Sequence, residues 1–266
     1  MIARPDPSQV FLFDMDGVIV DVSSSYRWSI RQTCYLYFEG VLGRKLTGNF
    51  FWDKKIGFLK KQGNFNNDWD LSFSLLTDLI KRGKGKEQPD YRLMKEMFQE
   101  IYLGEHFEKF YHRKRRYWFK PGLYNNERLF IPKNIFSKLA LRGELGVVTG
   151  RPLGDAKLAL EKFGLKNFFK MLVTEDDLPG IKQRKPSPYP LLKAIRALKA
   201  QKKEIFYFGD NIDDMKMACA VRKKIFSLRA VGCLWNKDFT GAVLRQAGAD
   251  LLIKKPADIL KAINSV

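Results

Sequence analysis

The chain has 266 residues, 45% of them hydrophobic, so it can bury a full core in one or two domains. No apolar run approaches the roughly 18 residues needed to cross a membrane, and residues 1–7 lack the apolar segment of a signal peptide. Cys34, Cys219 and Cys233 follow no metal or disulfide spacing, which predicts a reducing, cytoplasmic setting. A formal net charge of +19 favours anionic partners, whether nucleic acid or small anions, although it also fits a merely basic surface.

The first predicted element is a strand over residues 10–14, an apolar run that ends in Asp14, with Asp16 and Gly17 shortly after it. Such a run, bounded by a turn signal, is typical of a buried parallel strand. Ligands of open α/β sheets bind at the carboxyl ends of strands. Two carboxylates this close also repel each other unless a cation or a shifted protonation state compensates. The pair therefore indicates a ligand or cation site, with an ordinary strand-end turn as the alternative.

Residues 22–122 have a helical pattern, with apolar and aromatic side chains at three- and four-residue spacing. The pattern predicts helices over 24–40, 50–62, 69–82 and 90–111. We therefore expect a helical domain over 22–122, inserted into an α/β domain formed by residues 1–21 and 123–266.

From residue 145 onward, apolar runs alternate with helical patterns. The apolar runs predict strands over 145–149, 171–174, 205–209, 225–228 and 251–253. The helical patterns cover 153–163, 188–200, 212–222, 238–247 and 256–264. This alternation is typical of parallel βαβ units in a doubly wound sheet, and the strand at 10–14 belongs to the same set.

Two polar motifs in this half of the chain suit a phosphate. Thr149 and Gly150 follow a predicted strand, where a hydroxyl and free backbone N–H groups can bind a phosphate oxygen. An N-cap threonine is the alternative there. Lys185 precedes a proline, which holds its backbone extended just before a helix. It can neutralise a phosphate or a nucleophile, and the alternative is a solvated surface lysine, which is the commoner case in a chain this rich in lysine.

Three acids follow the predicted strand over 205–209. Asp210 ends the apolar run, and Asp213 and Asp214 come three and four residues later. If a helix begins near residue 211, Asp214 lies on the same side as Asp210, one turn further on. Acids at a helix N-terminus also stabilise the helix dipole, which accounts for one of them more readily than for all three.

Together and in this order, the motifs resemble those of the haloacid dehalogenase superfamily. The four motifs of that family are matched by Asp14 with Asp16, Thr149, Lys185, and Gly209-Asp210 with Asp213 and Asp214. The resemblance implies a Rossmann-like doubly wound α/β core with an inserted α-helical C1 cap domain. Within the superfamily it is similar to subfamily IA, the phosphoglycolate-phosphatase-like branch.

The resemblance also implies a role for each residue. Asp14 would be the nucleophile that accepts the phosphoryl group, and Asp16 the general acid and base. Mg²⁺ would be the cofactor, and its ligands would be Asp14, the backbone carbonyl of Asp16, Asp210, and Asp214 or Asp213. The remaining phosphate oxygens would be bound by Thr149, Lys185 and backbone N–H groups near Met15 and Gly150.

Substrate selection is assigned to residues near the second motif and in the inserted domain. The candidates are Arg151, Asn66, Asn67, Asp68 and Trp69. A plain turn between helices, with the tryptophan in the core of the inserted domain, is the alternative for the last four.

The sequence thus predicts a Mg²⁺-dependent phosphatase for a small phosphorylated metabolite, acting through an aspartyl-phosphate as a monomer or homodimer, with no membrane partner. A sugar phosphomutase of the same superfamily is one alternative. A nucleic-acid-binding or scaffold protein on a phosphatase fold is another, suggested by the net charge and by the basic run at 112–116 with aromatic residues after it. The basic excess is spread over both domains, which makes a nucleic acid a less favoured partner.

Overall fold

The computed structural model describes residues 8–46, 52–61, 67–83, 85–236 and 238–264. The chain divides into two compact units, Met1–Asp21 with Arg128–Val266 and Val22–Glu127, here called the core unit and the cap unit. Among the described helices, none combines the length and the apolar character that a membrane crossing requires.

The core unit is built on one six-stranded sheet in which every neighbouring pair of strands is parallel. Its strands are β1 (Gln9–Phe13), β4 (Gly143–Val148), β5 (Phe169–Val173), β6 (Glu204–Gly209), β7 (Leu228–Cys233) and β8 (Leu251–Ile253). They lie in the order β5-β4-β1-β6-β7-β8, so the direction of winding reverses at β1. The predicted α/β class and doubly wound sheet are confirmed.

Helices cover this sheet because both of its faces are apolar. Leu12 of β1 is fully buried in a cluster with Leu191 and Met215, from two of the helices. The next residue along the strand, Phe13, faces the opposite side, where its ring lies 5.7 Å from that of Phe136. The core helices are α6 (Lys133–Ala140), α7 (Leu153–Lys162), α8 (Tyr189–Ala197), α9 (Ile212–Arg222), α10 (Gly241–Gln246) and α11 (Ile259–Asn264).

The cap unit is helical, as the periodicity indicates. Its helices are α1 (Tyr26–Gly40), α2 (Trp52–Lys61), α3 (Asp68–Arg82), α4 (Tyr91–Leu103) and α5 (His106–Tyr111). Helices α4 and α5 replace the single helix expected over 90–111. Gly104 separates them with a φ of +53°, a backbone conformation that ends α4 and that side chains other than glycine rarely adopt.

The strand expected at 225–228 lies further along the chain, at β7. The Leu228 N–H bonds to the Ile225 carbonyl in a turn, so the ladder with β6 begins only at Leu228. Arg229 interrupts the apolar run inside the strand, which is why the pattern places the strand too early.

The chain leaves and re-enters the core unit at adjacent points. Strands β2 (Val20–Asp21) and β3 (Arg128–Leu129) form a short antiparallel ladder, with Asp21 opposite Arg128. The second boundary therefore falls at Glu127 and Arg128, a few residues beyond the expected one at 122.

Candidate active site

Three neighbouring strands bring three of the four motifs to one edge of the sheet. β4, β1 and β6 are adjacent and parallel, and their carboxyl ends are followed by Thr149, Asp14 and Asp210. The backbone continues the ladder for one residue beyond β1, since the Asp14 N–H donates to the Phe208 carbonyl at 2.8 Å. This edge is where the strand order reverses, the position at which open α/β sheets bind ligands.

The turn after β1 fits closely against Asp210. Gly17 has a φ of +78°, and a Cβ at this position would overlap both the Asp210 carboxylate and the Asn236 amide. The Gly17 N–H donates to the Val20 carbonyl at 2.9 Å, which closes the turn. A glycine is required here both for its conformation and for space.

Asp14, Asp210 and Asp214 form a buried carboxylate cluster. Each offers an oxygen, and these oxygens all lie within 4.8 Å of one another. Burial, then repulsion from Asp214, raises the pKa of Asp14 well above its ordinary value and that of Asp210 to about 7. Asp213 does not join the cluster, so the geometry favours Asp214 as the acid nearer to a cation. An all-oxygen donor set of this kind fits Mg²⁺, which prefers hard oxygen ligands.

Lys185 lies inside this cluster. Its Nζ is 2.7 Å from Asp14 Oδ1 and 2.8 Å from Asp214 Oδ1, and its side chain is 8% exposed. Burial by itself would lower the pKa of this lysine, but the two carboxylates raise it above the ordinary value, so the ammonium stays charged. The segment before it is held by an ion pair between Arg184 and Glu175.

Two residues that the sequence reasoning missed complete the cluster. Tyr207 donates its hydroxyl to Asp214 Oδ1 at 2.6 Å, and Asn236 donates its amide to Asp210 Oδ2 at 2.5 Å. Asn236 lies three residues beyond the end of β7, whereas Asp210 directly follows β6, so a strand placed correctly at β7 would have brought Asn236 near the predicted site. Tyr207 lies within an apolar strand, where its hydroxyl gives no periodic signal.

Thr149 and Arg151, the two polar side chains of the second motif, make different contacts. Thr149 Oγ1 accepts the Arg151 N–H at 3.1 Å and forms part of the turn that follows β4. The Arg151 guanidinium binds Asp16, with Nε at 2.7 Å and Nη2 at 2.6 Å from Oδ1. Gly150 is exposed, and Met15 is fully buried with its N–H on Asp14 Oδ1 at 2.8 Å.

The proposed selectivity segment of the cap has structural contacts in this unit. Asn67 caps α3 by accepting the Trp69 N–H at 2.8 Å, and Asp68 lies in an ion pair. Trp69 is buried and donates its indole N–H to Gln99 at 3.3 Å. Asn66 lies outside the described residues. These contacts agree with the alternative of a capped turn, and a role of this segment in substrate binding stays a prediction.

Comparison with known proteins identifies the family. Residues 132–226 match the family model for haloacid dehalogenase-like hydrolases. Among solved structures, the phosphatase Tt82 from Thermococcus thioreducens is similar, with 25% identity and a TM-score of 0.65, covering 90% of this chain and 98% of that one.

Two curated relatives are matched over part of their length. Imidazoleglycerol-phosphate dehydratase of Phytophthora nicotianae is 31% identical over 245 residues, which are 91% of this chain and 47% of that protein. Phosphoglycolate phosphatase of Pectobacterium atrosepticum is 26% identical over 132 residues, 49% of this chain and 53% of the relative. The chain thus spans about half the length of these relatives. With the motifs, the sheet and the site assembled as described, the chain belongs to the haloacid dehalogenase superfamily of hydrolases and is subfamily IA-like.

Proposed function

We propose that the chain is a Mg²⁺-dependent phosphatase that hydrolyses a small phosphorylated metabolite through an aspartyl-phosphate. The observation that carries the proposal is the buried cluster in which Lys185 contacts both Asp14 and Asp214, beside Asp210. The carboxylates at this reversal point of the sheet suit a cation that would in turn attract a phosphate, and Lys185 adds a positive charge for the same group. The similarity to a protein described as a phosphatase supports the same conclusion.

In the first step, Asp14 attacks phosphorus. Asp14 Oδ1 is held by Lys185 and by the Met15 N–H, so Oδ2 is the oxygen that forms the new bond. The bond between phosphorus and the ester oxygen breaks, and Asp16 gives a proton to that oxygen. The product leaves as an alcohol, and the phosphoryl group remains on Asp14.

In the second step, Asp16 acts as a base. It removes a proton from a water molecule, whose oxygen attacks phosphorus, and the bond to Asp14 breaks to release inorganic phosphate. The charged Lys185 and the N–H groups of the turns after β1 and β4 stabilise the negative charge on the phosphoryl oxygens in both steps.

The carboxylate cluster is suited to the metal. Asp14 and Asp210 would hold Mg²⁺ together with the Asp16 carbonyl, and Asp214 would assist. When bound, the ion offsets repulsion between these acids and the phosphate and polarises the phosphoryl oxygens. Asn236 and Gly17 then have a clear use, since they fix the direction of the Asp210 carboxylate.

The relatives suggest the class of substrate. Their names refer to phosphoglycolate, pyrophosphate, N-acetylmuramic acid 6-phosphate and imidazoleglycerol phosphate, all small phosphorylated molecules. We propose a substrate of this class for the present chain.

The test is phosphate release from these four compounds, together with sugar phosphates and nucleotides, each in Mg²⁺ and in EDTA. We expect metal-dependent release from at least one compound, and none from Asp14→Asn with an unchanged circular dichroism spectrum. Full activity of Asp14→Asn would disprove the nucleophile.

The alternatives correspond to other outcomes of the same assay. Conversion of a sugar phosphate into its isomer without free phosphate would identify a phosphomutase. Absence of any turnover, with tight and strongly salt-dependent binding to oligonucleotides, would identify a nucleic-acid-binding protein instead.

A further inference from the structure

The ion pair between Arg151 and Asp16 is buried on one side and open on the other. The arginine side chain is 1% exposed, whereas that of Asp16 is 30% exposed. The guanidinium therefore lies beneath the carboxylate, and the carboxylate faces the accessible side. Because its side chain is buried, Arg151 exposes almost no guanidinium surface that could contact a phosphate directly.

The Arg151 guanidinium contacts one of the two carboxylate oxygens of Asp16. Both Nε and Nη2 bind Asp16 Oδ1, at 2.7 Å and 2.6 Å. Among the described residues, Oδ2 receives no side-chain hydrogen bond. The backbone on either side of Asp16 is fixed as well, because the N–H groups of Ile19 and Val20 both donate to the Met15 carbonyl at 2.9 Å. One oxygen is thus held, and the other is left to exchange a proton.

The position of Arg151 is itself set by the second motif. Its N–H bonds to Thr149 Oγ1 at 3.1 Å, and its carbonyl accepts the Glu175 N–H at 2.9 Å. A fork donor on a fixed backbone loses little freedom when it binds a carboxylate. The turn after β4 is therefore tied directly to the turn after β1.

From this arrangement we propose that Arg151 is a positioning residue for Asp16, and not a substrate ligand as the sequence suggested. It holds Oδ1 so that Oδ2 points to the oxygen that leaves in the first step and to the water that enters in the second. The inference rests on the proposed function, because it concerns the two proton transfers that the proposed mechanism assigns to Asp16.

The leaving group supplies a direct test. 4-Nitrophenolate leaves without needing a proton, whereas an alkoxide must be protonated as it leaves. We compare kcat/KM for 4-nitrophenyl phosphate with kcat/KM for the alkyl phosphate that the wild type hydrolyses fastest. In Arg151→Met, we expect the second value to fall about 100-fold and the first less than about tenfold, with KM little changed.

A double variant shows whether Arg151 acts through Asp16. Asp16→Asn should discriminate between the two substrates in the same way, and Asp16→Asn with Arg151→Met should be no slower than Asp16→Asn alone. Equal losses on both substrates with a raised KM, or losses that multiply in the double variant, would overturn the proposal in favour of direct phosphate binding.

The chain offers a matched control. Arg222 also pairs with a carboxylate, that of Asp250, and it lies in the core unit with no contact to the site acids. Arg222→Met removes the same kind of ion pair, and we expect it to leave the ratio of the two kcat/KM values unchanged. Arg151→Lys should recover only part of the alkyl phosphate activity, since an ammonium cannot form the two-pronged contact.

A stability measurement tests the pair without turnover. Thermal unfolding in EDTA is followed for the wild type, both single variants and the double variant. If the two side chains stabilise each other, Arg151→Met should lower the unfolding temperature less in Asp16→Asn than in the wild type. Equal losses in the two backgrounds would overturn the pairing. If the wild type hydrolyses no compound, the proposed function fails, and this cycle still decides whether the pair exists.

Discussion

Tyr207 is a residue whose single hydroxyl matters to the site. It is fully buried, and it donates to Asp214 Oδ1, the same oxygen that accepts Lys185. In Tyr207→Phe, Asp214 Oδ1 loses the hydroxyl donor and keeps its contact with Lys185. We expect this loss to shift Lys185 relative to Asp14. We expect kcat/KM to fall about tenfold, the value of one hydrogen bond to a charged group, with the fold retained.

Tyr91 provides the control for this change. Its hydroxyl donates to Asp70 at 2.6 Å, a similar contact within the cap unit. Tyr91→Phe removes the same atom and should leave kcat/KM unaltered. Wild-type activity in Tyr207→Phe would show that Asp214 needs no second donor.

The raised pKa of Asp210 predicts how stability depends on pH. Burial and Asp214 raise this pKa to about 7 in the folded chain, compared with about 3.9 when unfolded. The folded state therefore binds more protons between these values, and the metal-free protein should lose stability as the pH rises from 4 to 7.

If the proposed Mg²⁺ site is correct, Mg²⁺ should reverse this trend, because the ion would bind the ionised carboxylates. Thermal unfolding at pH 5 and pH 7.5, in EDTA and in Mg²⁺, checks both statements. We expect Mg²⁺ to raise the unfolding temperature more at pH 7.5. Asp210→Asn should weaken the metal-free dependence, and Asp14, whose pKa burial also raises, should keep part of it. A Mg²⁺ effect equal at both pH values would contradict the assignment of Asp210.

At this scale, the sequence predicts where a residue lies in the fold when that residue ends a strand. Asp14, Thr149 and Asp210 each follow an apolar run, and the sheet brings such positions to one edge. The sequence does not reveal Tyr207 or Asn236, for physical reasons. Tyr207 lies within the apolar run of β6, and Asn236 follows β7, a strand whose limits depend on pairing with its neighbour.

Among the elements, the loop after α5 is held by one carboxylate. Glu100 of α4 is fully buried, and it accepts the backbone N–H groups of Arg116, Tyr117 and Trp118 at 2.7–3.1 Å. In Glu100→Ala these N–H groups lose their acceptor. We expect the free energy of unfolding to fall by about 1–3 kcal/mol, measured by urea denaturation.

Glu100→Gln keeps one acceptor oxygen and should lose less. Glu96→Gln is the matched control, since Glu96 lies on the same helix and, among the described residues, pairs with the exposed Arg113. This change should cost less than about 1 kcal/mol. Equal losses in all three variants would contradict the anchoring role.

The same loop explains why the basic run at 112–116 is a weak indication of nucleic-acid binding. Arg113 pairs with Glu96 and Arg115 with Glu108, so two of its charges are already offset. The sequence does not reveal these pairs, because the partners lie on α4 and α5 at separations that depend on the break at Gly104.

At the scale of the whole molecule, we expect the cap unit to be a removable insertion. Asp21 and Arg128 are opposite each other in the ladder of β2 and β3, so the ends of the gap left by deleting 22–127 are already adjacent. A linker of about four residues can close it as a hairpin turn. The shortened protein should unfold cooperatively, because the core unit has its own apolar core.

We expect this shortened protein to hydrolyse 4-nitrophenyl phosphate but to lose its preference among the metabolites of the panel. Circular dichroism, thermal unfolding and the phosphate assay measure these properties. A preserved preference would show that the core unit alone selects the substrate. An unfolded product would show that the core unit depends on the cap unit.

The α/β class and the helical insertion are evident from the sequence because they depend on periodicity, which each segment carries by itself. The exact limits are not. The second crossing at Glu127 and the start of β7 are decided by partners that are distant in the chain, and no local pattern records them.

Trp235 gives the site an intrinsic optical reporter. Of the five tryptophans in the chain, the other four lie within 22–127, so the shortened protein would carry this one alone. Its indole N–H donates to the Val18 carbonyl at 3.2 Å, in the turn that holds Asp16, and its neighbour Asn236 binds Asp210. In the shortened protein, Mg²⁺ binding at the acids proposed to hold it should therefore change the emission of a single fluorophore, which would report the binding and its kinetics without any added label.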